Sequence, residues 1–441
     1  MDEILKIGQV VRTETSGMDY TVEALLGSGG QGEVYRVSNN GSNMALKWYF
    51  PASATPEQRR VLATLTKKGA PNNKFLWPME LISAESNSGF GYIMPLREER
   101  YKSLFDLMKG RIEPDFAALA TAGLYLADSF LQIHSQGWCY RDISFGNVFF
   151  DPQNGDILIC DNDNIAIDDK NHKSGIKGTL GFMAPEVVRD DASPSTHTDL
   201  FSLAVLLFYM FMVHHPLAGK KEADIQCLDQ EAMTQLYGTE ALFIFDPDDD
   251  ANRPVKGYQD NPLIYWPIYP QFLRDLFTKA FTTGIKDATN GRVRESQWKA
   301  AMVQLRDSIL YCSSCGLENF YDTDTLRQNG GKLNPCWSCK NDIILPFRMR
   351  IEKNTIMLNH NTKLYPHHID EQRPYDFSEP VAEVVHNPKN PNVWGLKNLT
   401  SEKWTMKRSD GTIQDVFPGK SVPLISGLEI NFGNKRGEIR H

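Results

Sequence analysis

Asp142 and Asn147 stand five residues apart in Tyr140-Arg141-Asp142-Ile143-Ser144-Phe145-Gly146-Asn147, so a single loop presents a carboxylate and a neutral amide side by side. The carboxylate can accept the proton of a hydroxyl nucleophile while the amide helps ligate magnesium. Upstream, Leu26-Gly27-Ser28-Gly29-Gly30-Gln31-Gly32-Glu33-Val34 reads G-x-G-x-x-G-x-V. Nothing beyond a hydrogen projects from its glycines, so a hairpin turn there can close over nucleotide phosphates. Far downstream, Cys312-x-x-Cys315 and Cys336-x-x-Cys339 are two tight thiol pairs with 20 residues between them, the pattern of tetrahedral Zn–S4 coordination. Four thiolates leave no open coordination position, which makes such a zinc structural.

Other motifs follow in a fixed order. Ala45-Leu46-Lys47 lies on the strand pair after the glycine loop, and Asp161-Asn162-Asp163 comes nineteen residues after Asp142, behind the strand DILIC. Gly178-Thr179-Leu180-Gly181-Phe182-Met183 runs into Ala184-Pro185-Glu186, Asp199 opens an apolar stretch, and Gly291-Arg292 precedes Trp298. Taken together, over roughly 270 residues, these resemble the eukaryotic-like (Hanks-type) protein kinase superfamily. The resemblance implies a bilobal fold that takes ATP and Mg2+. By the same likeness Lys47 bridges the α- and β-phosphates, Asp142 is the catalytic base, and Asn147 and Asp161 hold magnesium. It implies an ATP site built from Gly27, Ser28, Gly29, Gly30, Gln31, Gly32, Val34 and Ala45, with a hinge at Met94 to Arg97 where Met94 guards the back and Leu96 lies alongside. It also implies that Asp199 braces the catalytic loop and that Glu186 pairs with Arg292. Thr179 matches the threonine that favours serine/threonine specificity, and Ser174 and Thr179 are the candidate phosphoacceptors.

Departures from the family pattern bear on activity. Tyr140 stands where histidine is usual, an exchange that keeps an aromatic body in the core. Asn162-Asp163 replaces Phe-Gly, removing the phenylalanine of the activity switch and adding a carboxylate near the metal. Ser144 replaces the lysine that offsets charge on the transferred phosphoryl group, which points to slow turnover. The glutamate partner of Lys47 is expected at Glu57, on a helix announced by Thr55-Pro56-Glu57-Gln58, although alignment on Val61-Leu62 puts Gln58 there instead. The competing reading is a nucleotide-binding pseudokinase scaffold whose C-terminal modules recruit partners.

These residues need elements to carry them. TVEALL, GEVYRV and NMALKWYF are rich in β-branched and aromatic residues with the turn NNGSN between them, giving a small sheet lobe. Helical apolar spacing covers 114–133, 199–214, 270–282 and 297–311, giving a helical lobe. At 441 residues, 41% hydrophobic and 23% charged, the chain has room and apolar material for two or three packed units. A net charge of −8 argues against a nucleic-acid-coating surface or a polybasic membrane patch. No signal-peptide organisation opens the sequence and no stretch approaches a bilayer span, the most apolar being Leu203–Val213, so a cytoplasmic setting is expected. In that reduced setting paired cysteines suggest metal, and Cys139, Cys160 and Cys227 read as core thiols.

The expected architecture is α+β: an N-terminal extension (1–20), a kinase domain (21–309), a zinc ribbon (310–345) and a small all-β sandwich (346–441). VWGLKNLTSEKWTM and VPLISGLEINFG resemble the ends of a forkhead-associated (FHA) domain, but its arginine and Ser-x-x-His loop are not found in register. His360, His367 and His368 read as surface loop histidines. The whole layout resembles the kinase of a bacterial tellurite-resistance-linked triad, which implies a von Willebrand factor A protein and a metal-dependent protein phosphatase as partners, a role in bacterial signalling or stress response, and a protein substrate.

Overall fold

β-branched and aromatic residues on either side of the glycine cluster build strands where their alternation points. In the structure, a computed structural model that describes residues 4–84, 87–168, 177–387 and 390–441, these strands are β1 (Val10–Thr13), β2 (Asp19–Ser28), β3 (Gly32–Asn39), β4 (Ser42–Tyr49), β5 (Glu80–Ala84) and β6 (Asn87–Pro95). They form a closed barrel in the order β1-β2-β3-β4-β6-β5, with Arg12 opposite Ser83 and Thr13 opposite Ile82 where it closes. Val11, Val22, Tyr35, Leu46, Trp48 and Ile93 fill its interior. Of the stretch read as an extension, residues 4–20 supply β1 and the fully buried Leu5, so they are part of this barrel.

Helix α1 (Pro56–Lys68) starts as its sequence announces. Thr55 accepts the Gln58 N–H at 3.1 Å, Pro56 occupies the first turn, and Gly69 ends it. Beyond the barrel come β7 (Lys102–Ser103), α2 (Leu104–Met108), α3 (Phe116–Ser135), β8 (Trp138–Cys139), β9 (Val148–Phe150), β10 (Ile157–Ile159), β11 (Ala166–Ile167), α4 (Pro185–Val188) and α5 (Thr196–Met212). Asp115 caps α3 at the Ala118 N–H, and Ser195 with Thr198 forms a capping box on α5. One correction concerns α3, which is long and apolar enough to cross a bilayer although no segment was expected to be. Its side chains are largely buried around Leu126, Ala127 and Phe130, so its apolar composition serves the core of this unit.

The chain divides into two compact units, Met1–Trp266 with Asp275–Met302, and Pro267–Arg274 with Val303–His441. The second holds a short hairpin, Ile309–Tyr311 with Glu318–Phe320, and then an all-β region. Six strands pair in the order Asn354–Met357, Arg348–Ile351, Arg436–Arg440, Glu429–Asn431, Trp404–Lys407, Ile413–Val416. Four more pair as Lys363–Leu364, Ala382–Asn387, Asn390–Asn398, Ser421–Pro423. Met349, Leu364, Leu396, Trp404, Ile430 and Ile439 share one core, drawing on both sheets. His368 departs from the surface-loop expectation: it is buried, accepts the Tyr365 N–H at 2.8 Å and lies 3.2 Å from Asp307. Cys227 departs in the opposite sense, being exposed rather than a core thiol.

Candidate functional site

The glycine loop is the turn between β2 and β3. Gly32 must be glycine, because a Cβ there would sit 2.1 Å from the Trp48 carbonyl oxygen on β4. Gly27 and Gly30 have nothing within 4 Å of an added Cβ, so the loop lies beside open space. Val34 on β3, Ala45 on β4, Met94 on β6, Leu96 just beyond it, Phe149 on β9 and Cys160 pack in one apolar cluster. That cluster is a shelf of the kind a flat aromatic base requires. Met94 is buried and its strand position faces Ala45 across the β4–β6 ladder. Phe149 and Cys160 were not foreseen in this wall, since isolated apolar residues on short strands carry no motif.

Below the shelf the polar residues converge. Asp142 is held from two sides, Thr179 donating to its Oδ1 at 2.7 Å and the Asn147 amide donating to its Oδ2 at 3.0 Å and its carbonyl at 2.7 Å. The loop carrying them is braced from α5, where Asp199 accepts the N–H groups of Tyr140 at 2.5 Å and Arg141 at 2.9 Å. Tyr140 is fully buried, packs edge-on against Phe130 and donates to the Cys160 carbonyl, so the aromatic exchange does keep a ring in the core. Glu186 meets Arg292 at 2.7 Å, and Arg292 also donates to the His197 carbonyl at 2.6 Å. Ser144, at the place of the helper lysine, is buried. Ser174 lies outside the described residues.

Asp161 adopts a left-handed backbone, φ 50° and ψ 41°, and a single 3-10 turn follows it over Asn162–Asn164. That turn sends three side chains to three different places. The Asp161 carboxylate stays partly exposed, 3.4 Å from the Lys47 ammonium. The Asn162 amide is buried and donates to the carbonyls of Leu76 and Ile159, at 2.9 and 3.0 Å. Asp163 points beneath the barrel, its Oδ2 at 2.9 Å and its Oδ1 at 3.1 Å from Lys47 Nζ. Tyr49 donates to the same carboxylate, and Tyr92 does so at 3.2 Å.

Two expectations change here. The carboxylate that meets Lys47 squarely is Asp163 and not Glu57, which is exposed on the first turn of α1 and whose charge acts on Arg141. The neighbour that does face inward is Gln58, donating to the Tyr49 hydroxyl at 3.2 Å and to the Asp163 carbonyl at 3.1 Å. The added carboxylate of Asp163 was placed near the metal, and it is instead wholly buried against the lysine. Gln31, at the tip of the glycine loop, joins the group by accepting from Lys47 at 3.2 Å and donating to Asn164 at 3.0 Å.

The charges follow from this packing. Burial by itself would lower the Lys47 pKa, but the carboxylates of Asp163 and Asp161 outweigh it and raise it to about 12. Burial would raise Asp163, yet the Lys47 charge and the Tyr49 and Lys47 hydrogen bonds hold it below the usual carboxylate range. Asp161 is raised, by burial first and by the Asp163 charge as well.

The donor sets fit the expected groups. Asp161 keeps exposed carboxylate surface, and the residue before it, Cys160, donates its N–H to the Asn147 carbonyl at 2.9 Å, which ties this strand end to the loop of Asp142 and Asn147. In the second unit the four sulfurs of Cys312, Cys315, Cys336 and Cys339 lie within 4.8 Å of one another, two pairs at 3.6 Å. Tetrahedral bonds of 2.3 Å imply edges of about 3.8 Å, so the sulfurs are spaced for zinc. Each thiol pair ends in a left-handed residue, Gly316 or Lys340. Asn319 was not foreseen: its amide donates to Cys336 Sγ at 3.5 Å and its oxygen accepts the Trp337 N–H, orienting one ligand turn.

Comparison with known proteins agrees with this geometry. The family model "Protein kinase domain" matches residues 20–261. The serine/threonine-protein kinase SCH9 of Saccharomyces cerevisiae is 28% identical over 208 residues, 44% of this chain and 24% of that protein. G protein-coupled receptor kinase 2 of Caenorhabditis elegans is 24% identical over 231 residues, 49% of this chain and 31% of its own. The DNA damage-responsive serine/threonine-protein kinase RqkA of Deinococcus radiodurans is 27% identical over 216 residues, 47% of this chain and 31% of its own. The chain thus spans about a quarter to a third of the length of these relatives.

Proposed function

The chain belongs to the protein kinase domain family, and from that premise we propose that it transfers the γ-phosphoryl group of ATP to serine or threonine hydroxyls of a protein substrate, with magnesium. The observation that carries this reading is the Thr179–Asp142–Asn147 group held beside Lys47 and Asp161 under an open glycine loop. Asp142, fixed by two donors, accepts the hydroxyl proton as the oxygen attacks. Lys47 holds the α- and β-phosphates, and the apolar shelf of Val34, Ala45, Met94 and Leu96 holds adenine. Asp161 and Asn147 would hold magnesium, which when bound offsets phosphate charge. Ser144 supplies no positive charge to the transferred group, so turnover is slow.

The test is to incubate the full chain with ATP and magnesium beside Asp142→Asn and weigh both intact, with generic acceptor proteins present. Phosphate on the wild type and none on the variant supports transfer. No phosphate on either the wild type or the acceptors sinks it and favours a scaffold that only binds nucleotide.

The proposal extends to the second unit and the setting. Cys312, Cys315, Cys336 and Cys339 hold a structural zinc, supported by the sulfur spacing. The layout, a kinase ahead of a four-cysteine turn pair and an all-β region, supports a cytoplasmic bacterial signalling role beside a von Willebrand factor A protein and a metal-dependent phosphatase. Affinity capture with each of those two proteins, purified, tests this. Absence of binding to both removes the partner assignment and leaves the kinase reading intact.

A further inference from the structure

Protein kinases ordinarily brace the phosphate-binding lysine with a glutamate from the helix after it, so that positioning this helix governs activity. In this chain that helix is α1, and the lysine is braced from elsewhere. We propose that Asp163, two residues past the candidate magnesium ligand Asp161, is the positioning residue that holds Lys47 for phosphate binding, taking over the work of the helix glutamate.

Four observations carry it. Both Asp163 oxygens lie within 3.1 Å of Lys47 Nζ, the two-oxygen approach of a well-formed ion pair. The carboxylate is fully buried and its remaining acceptor sites are met by Tyr49 and Tyr92, so it is specified from β4 and β6 as well as from its own turn. The inward position on α1 holds an amide, Gln58, which donates to Tyr49 and to the Asp163 carbonyl and carries no charge for the lysine. The segment around Asp163 is tied down on both sides. Asn162 donates to Leu76 and Ile159, Arg141 donates to the Asn164 carbonyl at 2.6 Å, and Gln31 donates to the Asn164 side chain. A carboxylate held this way cannot leave without taking a partner from a buried ammonium and two buried hydroxyls.

The consequence is a different coupling. Lysine bracing and the carboxylate of the proposed magnesium site reside on one short segment, Asp161–Asn164, and neither needs a charge from α1. This inference rests on the kinase reading for its purpose, though the Lys47–Asp163 pairing can be tested apart from transfer.

The experiment is a double-mutant cycle on the full chain with Lys47→Met, Asp163→Asn and the two together. It is read twice: as affinity for magnesium with a non-hydrolysable ATP analogue by titration calorimetry, and as the initial rate of phosphoryl transfer. If Asp163 acts through Lys47, Asp163→Asn slows transfer by about tenfold to hundredfold at full binding stoichiometry. The double variant is then no worse than Lys47→Met alone, in both readouts. Moving the charge to the helix, Asp163→Asn with Gln58→Glu, recovers part of the rate, which a purely structural defect would not allow. Additive losses at the two positions overturn the assignment, as does a loss in Asp163→Asn that is matched by Glu57→Gln and unrelieved by Gln58→Glu. If the wild type binds the analogue but transfers nothing, the kinase reading fails while the binding cycle still decides the role of Asp163. If it binds no nucleotide, both fall.

Discussion

Thr179 reaches the reaction through a single bond, its hydroxyl donating to Asp142 at 2.7 Å. A hydrogen bond to a charged group is worth about 1.5–3 kcal/mol, so Thr179→Val should slow transfer by about tenfold to hundredfold while Thr179→Ser keeps most of it. Initial rates at saturating ATP check this, and a valine variant as fast as wild type would remove Thr179 from the site. A second residue-scale effect is set by pH. Burial would lower the pKa of His134, but Asp199 and Glu295, one on each ring nitrogen, raise it from 6.5 to about 9. A folded value above the unfolded one means this contribution is complete below pH 6.5 and fades as pH rises through about 9. Its size is about 3 kcal/mol from the shift alone. Melting temperature followed from pH 6 to pH 10 should fall more steeply in wild type than in His134→Gln, and equal slopes would refute the pairing. Residues of this kind divide by legibility. Lys47, Asp142, Asn147, Asp161 and Thr179 sit in contiguous motifs whose spacing is dictated by chemistry, so their gathering at one site was legible in the sequence. Asp163 cannot, because where its side chain goes depends on the left-handed turn at Asp161, and a positive φ at a non-glycine residue leaves no mark in the letters.

At the scale of elements, the glycine turn separates two kinds of glycine. Gly32→Ala should disrupt β3–β4 pairing, since the new methyl would meet Trp48 backbone at 2.1 Å, and the melting temperature should drop by several degrees. Gly27→Ala has room and should leave melting unchanged, with any effect confined to nucleotide affinity. Equal melting for the two variants would contradict this geometry. The Glu186–Arg292 pair fixes α4 to the segment ahead of the helix Glu295–Asp307, with the Arg292 side chain only 2% exposed. Glu186→Gln leaves that guanidinium buried without its counter-charge, at a cost of about 3–5 kcal/mol, measurable by urea unfolding; a cost under about 1 kcal/mol would show that the charge is not needed. Elements were legible where local signals define them, as with the Thr55 cap of α1 and the apolar periodicity of α3. They were not where long-range pairing decides: β1 is four residues that matter only because β5, some 70 residues on, closes the barrel against it. Which residue of α1 faces Lys47 failed for the same reason, since a cap fixes where a helix begins and packing fixes how it is rotated.

For the whole molecule, the division into two units separates the two chemistries. Every proposed ATP and magnesium residue lies in Met1–Trp266, and all four cysteines lie in Val303–His441. The two ligand sets therefore lie in separate compact units, the first built on the barrel core and the second containing the all-β core. A ligand that binds only folded protein stabilises the unit that holds it, by about 2.7 kcal/mol at a hundred times its dissociation constant. Calorimetry of the full chain should accordingly show two responses. Magnesium with an ATP analogue should raise one transition, and a zinc chelator should lower the other, as should Cys336→Ser, whose zinc content should fall in parallel. Asn319→Ala should weaken zinc by about tenfold to hundredfold while keeping all four ligands, because it removes only the amide that orients Cys336. A chelator that lowers the nucleotide-responsive transition and spares the other would place the metal in the wrong unit. Zinc content unchanged in Cys336→Ser would remove the thiolate site altogether, leaving the clustered sulfurs without a ligand to explain their spacing.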